Sequence, residues 1–311
     1  MKQAAIFPGQ GAQFPGMGRD LAAAFPEAAE RFAEADRILG FPLSSTCFSG
    51  PAEIVNRTDI CQPGIFLVSA VTMEVLSRRL SIERSRFGAA AGLSLGEYTA
   101  LWFAGAISFS DGLRLTRLRG ELMQKASEAR ASGMTSVLGL DLPKIEEVCA
   151  GVRAEGGIVC VANLNSPGQV VISGAAEDLA KAAERLKAAG ARRLLPLQVA
   201  GAFHSPLMAP AAEALRAKLD STDVRRAEIP VVANVTAGSV TEPSSIRELL
   251  TRQLTSPVLF ERSVRHMAAE GFSEFVEPGP GRVLAGLLKK IVPEAVVHGY
   301  PDAATIQGGA S

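Results

Sequence analysis

Apolar positions fall into two kinds of stretch, short runs that end at glycine-rich turns and longer segments with helical spacing. Residues 3–7 read as a short buried strand that ends at the turn Pro8-Gly9-Gln10-Gly11-Ala12-Gln13. The spacing predicts helices over 20–39 and 62–80. Residues 87–93, Phe-Gly-Ala-Ala-Ala-Gly-Leu, form a small-residue run that reads as a tightly packed strand, with a further helix from about Ser94. Strand, turn and helix in this order predict a parallel sheet covered by helices.

The middle of the chain has a different rhythm. Residues 135–140 read as a strand and 143–152 as a helix. Strands at 158–162 and 169–173 flank the turn Ser166-Pro167-Gly168, and a helix over 176–189 precedes a strand over 193–197. That β-α-β-β-α-β order is the split-βαβ, ferredoxin-like pattern. The expected fold is therefore α/β, a hydrolase-like large domain with a parallel sheet plus an inserted ferredoxin-like small domain. Residues 1–130 and 199–305 make the large domain, 131–198 the small one, and 306–311 a loose C-terminal tail.

Composition narrows the function. The 311 residues are 47% hydrophobic, and 32 Lys plus Arg balance 32 Asp plus Glu. High apolar content with no net charge argues against disorder, and the absent basic excess argues against nucleic-acid binding. No run of about 18 apolar residues predicts a membrane span. The first apolar stretch is too short for a signal-peptide core, so a cytoplasmic location is expected. Cys47, Cys61, Cys149 and Cys160 form no C-x-x-C pair and have no neighbouring histidine. Buried thiols are expected there, with no metal and no cofactor.

Gly92-Leu93-Ser94-Leu95-Gly96 matches G-x-S-x-G between a predicted strand and helix, the context a nucleophile elbow requires. The structural alternative is a capping box, because Ser94 and Glu97 also fit [ST]-x-x-[DE]. Only His204, His266 and His298 could supply an imidazole. His204 precedes Ser205-Pro206, a helix-start signal, and a helix N-terminus favours a neutral, proton-accepting ring. His266 lies in a charged amphipathic helix, and His298 has no glycine-rich turn nearby.

Residues 111–128 read as a helix whose apolar stripe holds Leu115, Leu118, Leu122 and Ala126. Arg119 projects at about 40° from Leu115, inside that stripe. A guanidinium aimed at a core needs an anion. An internal Asp or Glu and an anionic substrate group in a cleft answer that need equally well.

Taken together, these segments resemble the malonyl-CoA:acyl-carrier-protein transacylases and the acyltransferase domains of polyketide and fatty-acid synthases. The landmarks run through nearly the whole chain: Phe7-Pro8-Gly9-Gln10-Gly11, Gly92-Leu93-Ser94-Leu95-Gly96-Glu97, Arg119-Gly120, Asn165-Ser166-Pro167-Gly168-Gln169, Ala202-Phe203-His204-Ser205, Arg252-Gln253-Leu254 and Gly279-Pro280-Gly281. The resemblance implies a ping-pong reaction in which Ser94 attacks the thioester of malonyl-CoA and His204 takes its proton. It implies an oxyanion hole from the N–H groups of Gln10 and Leu95, and Arg119 as the clamp on the malonyl carboxylate. The main-chain carbonyl of Gln253, not an acid, would orient His204. Phe203 matches malonyl-selective members. Leu93 departs from the usual histidine before the nucleophile and removes a polar group from the acyl pocket. The implied partners are malonyl-CoA and phosphopantetheinylated acyl carrier protein, with no nucleic acid and no membrane. Nothing requires a partner chain, so a monomer is expected. Arg192, Arg193, Arg282, Lys289 and Lys290 are candidates for a basic patch facing an acidic carrier.

Two other classes fit parts of the pattern. A serine hydrolase of acyl-CoA or acyl-carrier thioesters would share Ser94 and His204 but would have no use for Arg119. A silent docking protein would need neither Ser94 nor His204.

Overall fold

The computed structural model describes residues 2–308. In chain order the strands are β1 (Lys2–Phe7), β2 (Phe87–Gly92), β3 (Ser132–Leu138), β4 (Val159–Ser166), β5 (Gln169–Ala175), β6 (Arg193–Pro196), β7 (Val231–Val232), β8 (Ser239–Val240), β9 (Phe272–Pro278) and β10 (Val296–Tyr300). They form a six-stranded sheet in the order β10-β9-β1-β2-β7-β8 and a four-stranded sheet in the order β4-β5-β3-β6. Every pairing in the large sheet is parallel except β7 with β8. The small sheet is antiparallel throughout. The fold is thus α/β hydrolase-like with a parallel-rich large sheet.

The strands of the large sheet are apolar on both faces because helices cover both. Along β1, Ala5 and Phe7 enter one core while Ala4 and Ile6 enter the other, the two-residue period of a strand. The small sheet has its own core, in which Val137, Ile145, Cys149, Ile172 and Leu186 meet. Its edge strand β4 is tied to the large sheet's side of the molecule by backbone bonds. Leu164 N–H donates to Val258 at 2.9 Å, and Val258 N–H donates to Ala162 at 2.8 Å.

Three expectations need correction. The helix predicted over 20–39 is two helices, Arg19–Ala24 and Pro26–Leu39. Phe25 between them is extended, as a residue before proline prefers. Residues 306–308 are not a loose tail: they end the helix Ala303–Gly308, and Ile306 is buried in the main core. Residues 309–311 lie outside the described residues.

The expectation of no membrane span is not among them, although it is read from uninterrupted apolar runs alone. Helix Thr58–Leu80 is long and apolar enough to cross a bilayer by length and composition, with a mean hydropathy of 1.5 over its best window. Its interspersed Ser, Thr and Gln hide that character from a run count. It is a core helix, 83% of that window being buried inside the protein, and it packs on helix Phe109–Glu128.

The buried face of helix Phe109–Glu128 is also rotated from the expected stripe. Thr116, Arg119, Gly120, Met123 and Ser127 are buried, whereas Leu118, Leu122 and Ala126 are only partly so. Small polar residues let the neighbouring helix approach closely, so the packed side is not the most apolar one. Arg119 therefore lies near the middle of the buried face.

Phe275, on β9 beside β1, is fully buried. Truncation in Phe275→Ala is expected to destabilise the protein by about 3–5 kcal/mol, read as a lowered urea midpoint at unchanged slope.

Candidate active site

Phe7 and Gly92 are register partners at the carboxyl ends of β1 and β2. The loops that follow these strands are therefore neighbours, in the place where open α/β sheets bind ligands. The bend after β2 is sharp enough to demand glycines. A Cβ on Gly92 would fall 2.0 Å from the Gly96 carbonyl carbon, and one on Gly96 would fall 2.1 Å from the Phe7 carbonyl oxygen. Ser94 at the tip has φ 51°, in the left-handed region. Such a conformation costs on the order of 1–3 kcal/mol and persists only where its surroundings hold it. Here Asn234 Oδ1 accepts from Ser94 N–H at 2.7 Å, and Asn234 Nδ2 donates to the Gly92 carbonyl at 2.7 Å.

The capping-box alternative is not what forms. Helix Gly96–Phe103 has no side-chain cap, and Glu97 turns into the interior instead.

His204 arrives from the loop before the short turn Pro206–Met208, with Ser205 as N-cap. Its Nε2 lies 2.8 Å from Ser94 Oγ, and its Nδ1 lies 2.7 Å from the Gln253 carbonyl oxygen. A carbonyl can only accept, so Nδ1 carries the proton and the Nε2 lone pair faces the hydroxyl. His204 is 3% exposed. Burial, followed by the charge of Arg119, lowers its pKa from 6.5 to about 4. The helix terminus expected from sequence is not the leading cause.

Arg119 is 1% exposed and forms no ion pair with a carboxylate among the described residues. Its Nη1 donates to Gln62 Oε1 at 2.7 Å. Its Nη2 donates to Ser94 Oγ and Gln253 Oε1, both at 2.9 Å. The guanidinium also lies 5.5 Å over the Tyr98 ring. Burial lowers its pKa, but an arginine remains charged. Of the two readings left open by periodicity, the internal ion pair is absent.

Sequence reasoning missed Gln62 and Asn234 and gave Glu97 only a capping role. A signal existed for two of them. Gln62 is a polar residue in an otherwise apolar helix, and Asn234 closely follows the apolar pair Val231-Val232, which forms β7 beside the elbow strand.

A cavity of about 120 Å³ opens over these groups, lined by Gln10, Leu93, Ser94, Arg119, Phe203 and His204 among others. That is roughly four waters at ~30 Å³ each, room for a short acyl group. Asn163 and Asn165 of β4 also line it, so the small sheet supplies one wall. The N–H groups of Gln10 and Leu95 make no backbone or side-chain hydrogen bond among the described residues. Phe203 and Leu93 are buried apolar walls. His266 and His298 lie elsewhere, the latter on the edge strand β10. The cysteines take no part: burial raises the thiol pKa of Cys47 and Cys149 to about 12 and that of Cys160 to about 11, and raises that of Cys61 further.

Residues 5–305 match the model of the acyl transferase domain. The chain belongs to the acyl transferase domain family. It is 44% identical over 306 residues to a malonyl CoA-acyl carrier protein transacylase of Bacillus subtilis, covering 98% of this chain and 95% of that protein. Among solved structures, an acyl carrier protein S-malonyltransferase from Vibrio cholerae has a TM-score of 0.94 at 40% identity, covering 99% of each chain. A malonyl-transacylase solved in complex with its type II PKS acyl-carrier protein also has a TM-score of 0.94 at 40% identity, covering 99% of this chain and 98% of that one.

For this acyl transferase the depressed His204 pKa sets a sign. A general base is active when neutral, so an acylation that depends on His204 is lost as pH falls through its pKa. The kcat/KM for acylation is expected to stay level below neutrality and to fall with an apparent pKa near 4. An acid limb centred at the ordinary 6.5 in a pH–rate profile of the folded enzyme would contradict a buried neutral base.

Proposed function

We propose that this acyl transferase moves a malonyl group from malonyl-CoA to the phosphopantetheine thiol of an acyl carrier protein, through a malonyl ester of Ser94. The observation that carries the reading is Arg119, a buried guanidinium with no carboxylate partner, 2.9 Å from Ser94 Oγ. A malonyl ester on that oxygen places its free carboxylate three bonds away, within reach of the same guanidinium. Arginine recognises carboxylates with its planar fork, and the interaction strengthens where water is excluded.

In the first half-reaction His204 Nε2 takes the Ser94 proton as Oγ attacks the thioester carbon. Negative charge develops on the carbonyl oxygen and is met by the N–H groups of Gln10 and Leu95. Collapse expels the CoA thiolate, which recovers the proton from His204. In the second half-reaction His204 deprotonates the carrier's thiol, which attacks the ester carbon, and Ser94 leaves with the proton. The Gln253 carbonyl holds the imidazole in one tautomer through both halves. No acid is required, because the imidazolium exists only between the two proton transfers.

We read residues 1–130 with 199–305 as the catalytic unit and 131–198 as a small unit that closes the cleft. The proposed reaction would run in the cytoplasm, for fatty-acid or polyketide synthesis. Arg192, Arg193, Arg282, Lys289 and Lys290 are exposed, which suits an acidic carrier at the cleft mouth. Lys290 reaches from the large unit to Gln169 of the small one at 3.2 Å. Thioester hydrolysis on the same scaffold is not favoured, since a hydrolase of neutral acyl groups gains nothing from burying Arg119.

Incubation with malonyl-CoA is expected to give a malonyl adduct by intact mass, and Ser94→Ala is expected to give none. A malonyl adduct on the alanine variant would remove Ser94 as nucleophile. Arg119→Ala is expected to lower malonyl transfer by roughly 10- to 100-fold, the worth of one or two charged hydrogen bonds, and acetyl transfer far less. Equal losses for the two acyl groups would show that Arg119 does not read the carboxylate.

A further inference from the structure

Glu97 is 2% exposed, next to the reacting groups, and has no part in the steps above. Its Oε2 accepts from Gln253 Nε2 at 2.7 Å and from Asn234 N–H at 3.1 Å. Gln253 Nε2 also donates to the Ser94 carbonyl at 3.0 Å. The other end of the same carboxamide, Oε1, accepts from Arg119 Nη2. Gln253's main-chain carbonyl accepts from His204. One residue therefore touches both the carboxylate clamp and the base.

A carboxamide can bind either way round unless its neighbours are of opposite kinds. Arg119 can only donate. Burial raises the Glu97 pKa to about 7, yet its Oε2 already accepts from two N–H groups, so toward Gln253 it is an acceptor. With Glu97 on one side and Arg119 on the other, a single orientation of Gln253 satisfies every atom. Turned over, Nε2 would face Nη2, donor against donor, and Oε1 would face a carboxylate oxygen. The guanidinium would then lose its hold beside Ser94. Glu97 also opposes the buried charge of Arg119 electrostatically, although Gln253 stands between them.

We propose that Glu97 is a positioning residue for acyl transfer: by fixing which end of the Gln253 carboxamide faces Arg119, it holds the clamp in its place beside Ser94. The inference rests on the malonyl-transfer reading. Its consequence is selective, because malonyl needs the clamp and acetyl does not.

The test measures single-turnover acylation of Ser94 by malonyl-CoA and by acetyl-CoA, followed by quenched-flow intact mass, with folding checked by thermal melts. Glu97→Gln keeps the shape but offers both a donor and an acceptor, so the orientation of Gln253 is no longer unique. It is expected to lower the malonyl-to-acetyl rate ratio by about tenfold, the scale of one mispaired buried polar group. Glu97→Asp, which keeps the charge but falls short of Gln253, is expected to act in the same direction and serves if Glu97→Gln does not fold. In a Gln253→Met background Glu97→Gln is expected to leave the ratio unchanged, because the effect travels through Gln253. A ratio within about twofold of wild type in the folded Glu97 variants, or the same fall in both backgrounds, overturns the proposal. If the wild-type protein takes no malonyl group, the functional reading fails, and that outcome is distinct from a Glu97 variant that keeps the wild-type ratio.

Discussion

The site is organised by one positive charge held out of water with no negative partner beside it. Burying a guanidinium costs several kcal/mol unless its donors are met and an opposite charge is near. Arg119 meets acceptors on Gln62, Ser94 and Gln253 and an aromatic face on Tyr98. All of these are neutral. The remaining electrostatic deficit makes an anion entering the cavity worth more than it would be in water. The same charge, together with burial, keeps His204 deprotonated. A site that favours an anion, and a neutral imidazole, thus share a source.

Parallel strand ends make that arrangement possible. Ser94, His204, Arg119 and Gln253 are separated by as many as 159 positions, between Ser94 and Gln253. β1 and β2 end side by side, which brings the Gln10 turn against the elbow, and β7 next to β2 delivers Asn234 to the elbow's backbone. Ser94 and His204 both have positive φ, at 51° and 58°. Two non-glycine residues in the left-handed region within hydrogen-bond reach of each other mark where backbone conformation is set by the site and not by local preference.

Much of this was legible in the chain, and the parts that were not share a cause. The elbow could be read because G-x-S-x-G between a strand and a helix constrains local backbone geometry, which sequence records directly. The small sheet could be read for a similar reason, since alternating strands and helices carry clear periods. The buried face of helix Phe109–Glu128 was misjudged because Thr116, Gly120 and Ser127 count as polar by type yet are small enough to pack closely. Glu97, Asn234 and Gln62 escaped because each acts through a partner at least 57 positions away. A polar side chain in a buried run announces that it has a partner without saying which one. The resemblance supplied the Gln253 carbonyl, which no local pattern could have indicated.

The polar network also bears on why acyl transfer can prevail over hydrolysis. A serine ester is short-lived wherever the base can activate water, and His204 would activate water as readily as a thiol. What distinguishes the two nucleophiles here is access. Leu93, Phe203, Met123, Met134, Val171, Leu197 and Val199 form apolar walls around the reacting groups. An acyl group of malonyl size would fill much of a cavity of about 120 Å³. Gln253, Asn234, Gln62 and Glu97 already bond one another, the elbow or Arg119, which leaves Gln10, Asn163 and Asn165 as the polar lining a water could still use. A pantetheine arm brings its own apolar surface and can enter where water gains little. The network beneath Ser94 therefore does more than steady Arg119: it takes four polar side chains out of competition for a water beside the ester.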